Sequence, residues 1–161
     1  MRVLITGNRG YVGAAVTKYL NKKNIDVYGI DNNLFSKKIN KNQTNIDIRE
    51  INENILDNID GVVHLAGISN DPMGKKFSKA TKSINLNASI KFFKICKKKN
   101  IKSFVFASSC SVYGQTKNNV VSENSKLNPL TDYAKSKINF EKIITKDGIG
   151  NTNTTFLRFA T

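Results

Sequence analysis

The sequence predicts an α/β chain built on a doubly wound parallel sheet, on three observations. Short apolar runs rich in Val, Ile and Phe alternate with stretches of helical period along the chain. The first run, Arg2-Val3-Leu4-Ile5-Thr6, leads into Gly7-Asn8-Arg9-Gly10-Tyr11-Val12-Gly13, where glycines recur every third residue and open a helix. The second run, Ile25 to Ile30, closes on Asp31, about 20 residues beyond the glycine turn.

The glycine turn has the outline of a phosphate cradle. Glycine admits positive φ and lets an anion approach with no Cβ in the way. A helix N-terminus adds unpaired N–H groups and the positive end of a dipole. That helix is predicted from Tyr11 to Lys23, with Val12, Val16, Tyr19 and Leu20 on its apolar side. Asp31 can accept from both ribose hydroxyls of an adenosine and would repel a 2′-phosphate, which favours NAD over NADP.

Residues 32–44 read as a polar loop, and Thr44-Asn45-Ile46 as a short strand. Asp47 stands open between two roles. It can meet an adenine amino group, with Ile48 packed on the ring, or it can cap a short helix over residues 49–58. A fourth strand runs from Asp60 through His64 into Leu65-Ala66-Gly67, whose small residues let the backbone approach a cofactor. His64 is the chain's one histidine and reads as a packed core residue. Ser69 to Gly74 reads as a loop within reach of a substrate, and Lys79 to Asn100 as a long helix. Asn85 and Asn87 lie in its early turns, and poor helix propensity points to a buried polar role for one of them. A fifth strand, Lys102 to Ala107, ends in Ser108-Ser109-Cys110-Ser111. After a polar loop to residue 130, Thr131 or Asp132 caps a helix from Tyr133 to about Lys146. Thr154 to Phe159 is the sixth strand.

The formal charge of +14 comes from lysines scattered in short groups. Arginine is scarce and no aromatic-interleaved basic motif appears, so these read as solvated faces rather than a nucleic-acid surface. The charge would still draw anionic substrates. No apolar run approaches the roughly 20 residues of a membrane span, and no signal-peptide pattern opens the chain. A soluble cytoplasmic protein with no membrane partner is expected. The 2 cysteines make no disulfide framework, and no ligand cluster suggests a metal.

Tyr133-Ala134-Lys135-Ser136-Lys137 sets Tyr133 and Lys137 four apart on one helix face. A neighbouring ammonium would lower the tyrosine's pKa, so that Tyr133 can take a proton from an alcohol as hydride leaves the carbon. Ser109, at a strand end, can bond the same substrate oxygen.

With those residues in place the chain resembles the N-terminal part of an extended short-chain dehydrogenase/reductase, in the NAD-dependent nucleotide-sugar epimerase/dehydratase group. The motifs are Gly7-x-x-Gly10-x-x-Gly13, Asp31-Asn32, Asp47-Ile48, His64-Leu65-Ala66-Gly67, Asn85, Ser108-Ser109 with Val112-Tyr113-Gly114, Tyr133-x-x-x-Lys137 and Leu157-Arg158-Phe159. The resemblance implies an NAD(P)-binding Rossmann fold. It implies Tyr133 as general acid/base, Lys137 as its partner and holder of the nicotinamide ribose, and Ser109 as the substrate-orienting hydroxyl. Gly7, Gly10, Tyr11, Val12 and Gly13 would surround the pyrophosphate, and Asp31 and Asn32 the adenosine ribose. Asp47 and Ile48 would sit at the adenine; Leu65, Ala66, Gly67, Ser69 and Asn85 would line the cofactor.

Two departures from the group shape the expectation. Its sugar dehydratases carry an Asp-Glu pair just after the catalytic hydroxyl, where this chain has Cys110 and Ser111, which leaves epimerisation or plain oxidoreduction. Members of the group also run on into a C-terminal region that binds the nucleotide-sugar. Residues 1–161 are therefore expected to be a dinucleotide-binding domain truncated at its C-terminal end, with the substrate region missing. The alternative is a non-catalytic dinucleotide-binding module. Homodimerisation through the helices over 79–100 and 133–146 is common in the group.

Overall fold

The structure, a computed structural model, describes residues 1–34, 42–115 and 120–160. Parts of the two polar loops expected over 32–44 and 115–130 lie outside the described residues.

The strands are β1 (Arg2–Thr6), β2 (Asp26–Asp31), β3 (Gln43–Asn45), β4 (Gly61–His64), β5 (Ser103–Ser109) and β6 (Asn153–Phe159). They form one sheet in the order β3-β2-β1-β4-β5-β6, with every neighbouring pair parallel. The order reverses between β1 and β4, which opens a crevice at the C-terminal ends of these strands.

Period-two alternation along β1 shows how both faces are covered. Leu4 joins Val62, Phe92, Phe104, Phe106 and Phe140 on one face, against α4 (Ser89–Lys98) and α5 (Asp132–Asp147). Val3 and Ile5 join Val27 on the other, against Val16 and Leu20 of α1 (Tyr11–Lys22). The rings of Phe106 and Phe140 stack at 4.1 Å between centroids. Each fully buried side chain of this size contributes about 1.5–3 kcal/mol.

The buried side of α1 is narrower than its sequence pattern suggests. Val12 and Tyr19, expected on it, are exposed. Gly13 is the buried residue instead, because the helix start packs on the glycine turn too closely for any Cβ: one placed there would lie 2.1 Å from the Gly7 carbonyl oxygen.

Three stretches depart from expectation. The helix expected over 49–58 is two 3₁₀ turns, Ile48–Glu50 and Glu53–Leu56. The side chains of Asp47 and Asn52 each cap a new turn, and Ile51 between them is extended (ψ 132°) and buried. The loop expected over 69–74 contains a short helix, α2 (Asp71–Lys76), capped by Asn70 and opened by Pro72. The long helix runs as α3 (Ser78–Thr81), a π segment (Lys82–Ala88) and α4, with helical dihedrals through both junctions. Among the described residues no helix is long and apolar enough to cross a membrane.

Candidate active site

The cradle between β1 and α1 is held by backbone contacts. Gly7 has φ +69°, and its N–H donates to the Ile30 carbonyl at 2.7 Å. The Gly10 N–H donates back to the Gly7 carbonyl at 3.1 Å. Helix α1 then starts with no side-chain cap and no acidic residue in its first turn, with Tyr11 and Val12 facing solvent. An uncapped helix start behind a backbone that excludes Cβ atoms fits the pyrophosphate of a dinucleotide. Of the glycines, Gly13 serves packing.

Asp31, at the end of β2, accepts from the Arg9 N–H at 3.1 Å and the Asn33 N–H at 2.8 Å. These bonds fix its carboxylate at the rim of the cradle and leave acceptor capacity for hydroxyl donors. Asn32 beside it is exposed, its side-chain oxygen 3.4 Å from the Leu34 N–H. Asp47 takes the capping role of its two options. Oδ1 accepts from the Arg49 N–H and Nε, both at 2.9 Å, and Oδ2 lies 2.7 Å from Nη2. The bond to Arg49 holds its carboxyl below the usual range. Ile48, expected to lie on an adenine ring, turns its side chain into the main core.

Beyond β4, Leu65 and Ala66 are half-buried, and Gly67 and Ser69 are exposed. Gly67 lies so close to Asn85 that a Cβ would come within 2.9 Å of its Oδ1. Asn85 is the buried polar residue of the π segment. Its carboxamide accepts from the Ile68 N–H at 2.7 Å and donates to the Ile68 carbonyl at 2.9 Å, so it grips the loop rather than pointing an unpaired amide outward.

Ser109, Tyr133 and Lys137 converge at the C-terminal end of β5. Ser109 is buried at the strand end, and its hydroxyl oxygen accepts from the Ser111 hydroxyl at 3.0 Å and the Ser111 N–H at 3.2 Å. Lys137 is 6% exposed; its ammonium donates to the Ala107 carbonyl at 2.8 Å and lies 5.6 Å from the Tyr133 ring centroid. Burial pushes the Lys137 pKa down to about 8, against an opposing pull from Glu141 one helical turn on. The Tyr133 shift runs opposite to the sequence expectation. Burial pushes it above the ordinary tyrosine value, the Ser109 hydroxyl draws it down, and Asp71 and Cys110 push it up further. Desolvation of the phenolate outweighs the charge that the sequence spacing brings near.

Helix α2 forms a wall over Tyr133 where a loop was expected. Gly74 of α2 sits so tightly against it that a Cβ would come within 2.8 Å of the Tyr133 Cβ. Asp71 accepts from the hydroxyl of Thr131, which in turn caps α5 by accepting from the Ala134 N–H at 3.1 Å. Asn70-Asp71-Pro72, a capping residue followed by proline, was the available signal for this helix. Among the described residues no group of His, Cys, Asp and Glu could hold a metal.

The strand order and its switch point define a doubly wound α/β protein of the Rossmann type. The chain belongs to the NAD dependent epimerase/dehydratase family, whose profile matches residues 3–161. It is 34% identical over 162 residues to YtcB of Bacillus subtilis (strain 168), an uncharacterized UDP-glucose epimerase, an alignment covering 89% of this chain and 50% of the relative. It is similar to MoeE5 in complex with UDP-glucose and NAD, with TM-score 0.90, 25% identity and coverage of 99% of this chain and 54% of that one. It is also similar to UDP-N-acetylglucosamine 4-epimerase from Methanobrevibacter ruminantium M1, in complex with UDP-N-acetylmuramic acid, with TM-score 0.86, 30% identity and coverage of 98% and 54%. The chain thus spans about half the length of the relatives it matches.

Proposed function

We propose that this chain serves the NAD-dependent epimerisation or oxidoreduction of a nucleotide-sugar through Ser109, Tyr133 and Lys137. The observation that carries the reading is the convergence of these residues at the end of β5, with the uncapped start of α1 across the sheet's switch point. Bound NAD supplies a hydride acceptor and donor.

The chain's own residues do the rest. Backbone N–H groups at Tyr11 and Val12 hold the pyrophosphate, with Gly7, Gly10 and Gly13 shaping the turn. Asp31 and Asn32 take the adenosine ribose, and the 47–48 backbone borders the adenine. Leu65, Ala66, Gly67 and Ser69 line the cofactor, with Asn85 holding their loop. Ser109 donates to the sugar oxygen. Tyr133 takes the carbinol proton as hydride departs and returns it when hydride comes back. Lys137, tied to the Ala107 carbonyl, is mostly protonated at neutral pH and favours the phenolate while that proton is on loan. Cys110 and Ser111 stand where the group's dehydratases carry an Asp-Glu pair, which supports epimerisation or oxidoreduction over dehydration.

Turnover on a panel of UDP-, GDP- and dTDP-sugars tests the reading. A Tyr133→Phe variant with unchanged activity would remove its central residue. A non-catalytic dinucleotide-binding module, which needs the glycine cradle but not the Ser109-Tyr133-Lys137 cluster, is the second reading. Calorimetry of NAD with and without nucleotide-sugar separates the two, since the module gains nothing from the sugar. A homodimer through the π–α4 helix and α5 would bring Lys91, Lys94, Lys135 and Lys142, all exposed, towards their copies. Its formation would therefore strengthen with salt in sedimentation measurements.

A further inference from the structure

A buried polar chain runs from the cradle into the helix behind the sheet. Thr6 and His64 face each other in the parallel register of β1 and β4. The Thr6 hydroxyl lies 2.6 Å from His64 Nδ1, and His64 Nε2 lies 2.8 Å from the Ser89 hydroxyl. The Ser89 hydroxyl reaches the Ile84 carbonyl at 3.4 Å. Thr6, His64 and Ser89 are each 1% exposed or less. The same Thr6 oxygen accepts from the Ala66 N–H at 3.0 Å and the Leu65 N–H at 3.1 Å.

The direction of each proton follows from counting donors. The Ala66 N–H donates to the Thr6 hydroxyl oxygen, and the Leu65 N–H is shared between that oxygen and the Thr6 carbonyl, both at 3.1 Å, so the hydroxyl acts as acceptor towards the loop and its own proton goes to a further acceptor. Among the described residues its acceptor is His64 Nδ1. The ring therefore carries its proton on Nε2 and donates to Ser89, which donates to Ile84. The opposite tautomer strands the Thr6 proton in a buried site, at the cost of an unsatisfied donor. Three phenylalanines, Phe92, Phe104 and Phe106, pack their rings within 6 Å of the imidazole centroid. Burial, with the Lys137 charge second, keeps the ring neutral.

The far end of this chain is the loop that faces the cradle. Gly7 touches it so closely that a Cβ would lie 2.9 Å from the Ala66 nitrogen. Ser89 and Asn85 are four residues apart on one helix, and Asn85 holds Ile68 from the other side. The loop over residues 65–68 is thus tied at both ends to one helix.

We propose that Thr6, His64 and Ser89 form a one-way hydrogen-bonded strut that positions the Leu65-Ala66 backbone against the glycine turn and so sets NAD affinity. The inference rests on the proposed function for its link to NAD, but not for its structure. His64 and Thr6 are positioning residues, acting through the loop.

The chain's 1 histidine makes the test direct. Two-bond ¹H–¹⁵N correlation on the 161-residue chain reads the imidazole tautomer without ambiguity. Nε2–H with a bare Nδ1, unchanged from about pH 5 to 8, is expected. The Nδ1–H tautomer, or titration near the ordinary histidine value, would overturn the strut. NAD calorimetry and amide exchange on Thr6→Val and Thr6→Ser complete it. Thr6→Val should weaken NAD about tenfold and speed exchange at Leu65 and Ala66, while Thr6→Ser restores both. Equal NAD affinity and equal exchange in Thr6→Val would contradict the proposal. If the parent chain binds no NAD, the functional reading fails, and the tautomer and exchange data alone decide the strut.

Discussion

Glu141 and Arg158 form a bidentate ion pair beneath the candidate site. Arg158 Nη2 lies 2.7 Å from Glu141 Oε2, and Nε reaches both carboxylate oxygens at 3.2 and 3.3 Å. Ser108 donates to Glu141 Oε1 at 2.5 Å, and Arg158 Nη1 donates to the Tyr113 hydroxyl at 2.9 Å. The pair ties β6 to α5, β5 and the turn at Cys110–Tyr113. The Arg158 side chain is 19% exposed and that of Glu141 6%, so removing one partner leaves a poorly solvated charge. Glu141→Ala should cost about 3 kcal/mol of stability, read from urea unfolding, because an uncompensated cation remains.

The tight contact of α2 on Tyr133 predicts a rate effect. Gly74→Ala places a methyl where only 2.8 Å separates it from the Tyr133 Cβ. The variant should lower kcat by about 10²-fold with little change in NAD affinity, because it displaces the phenol and leaves the cradle alone. Steady-state kinetics with calorimetry check both halves.

Asp31 predicts cofactor choice. Asp31→Asn keeps the shape but removes the charge that opposes a 2′-phosphate. NAD binding should weaken about tenfold, and discrimination against NADP should shrink by a similar factor. Paired titrations with the two cofactors measure it.

His64 predicts a pH dependence of stability. Burial pushes its pKa down to about 3 in the folded chain, against about 6.5 in the unfolded one. Between those values the unfolded chain binds a proton that the folded chain does not. Stability therefore falls as pH drops through that window, by up to about 1.4 kcal/mol per pH unit. Urea unfolding at pH values from about 7 to 5 should show this slope in the parent chain and lose it in His64→Gln.

The strand–glycine–helix opening was legible because strand period, glycine spacing and helix period each leave a local mark. The convergence of Ser109 with Tyr133 was legible through family motifs rather than local pattern. What stayed hidden depends on contacts distant in sequence or on subtle backbone changes. Helix α2 is short and carries Gly74, so it shows no apolar stripe. The π segment leaves no compositional trace, although Asn85 hinted at a buried polar role; its partner Ile68 is 17 residues away. Two capping side chains, Asp47 and Asn52, split a segment whose composition suits a helix. The Tyr133 shift turned upward because burial cannot be read from a Tyr–Lys spacing.

Proton transfer at Tyr133 is the step on which the proposed chemistry depends. The most direct measurement is the rate at which a nucleotide-sugar reduces bound NAD in a single turnover, followed by nicotinamide absorbance, in the parent chain and in Tyr133→Phe. Reduction is expected in the parent, with a loss of about 10²–10⁴-fold in the variant at unchanged NAD affinity. Equal rates in the two would contradict it.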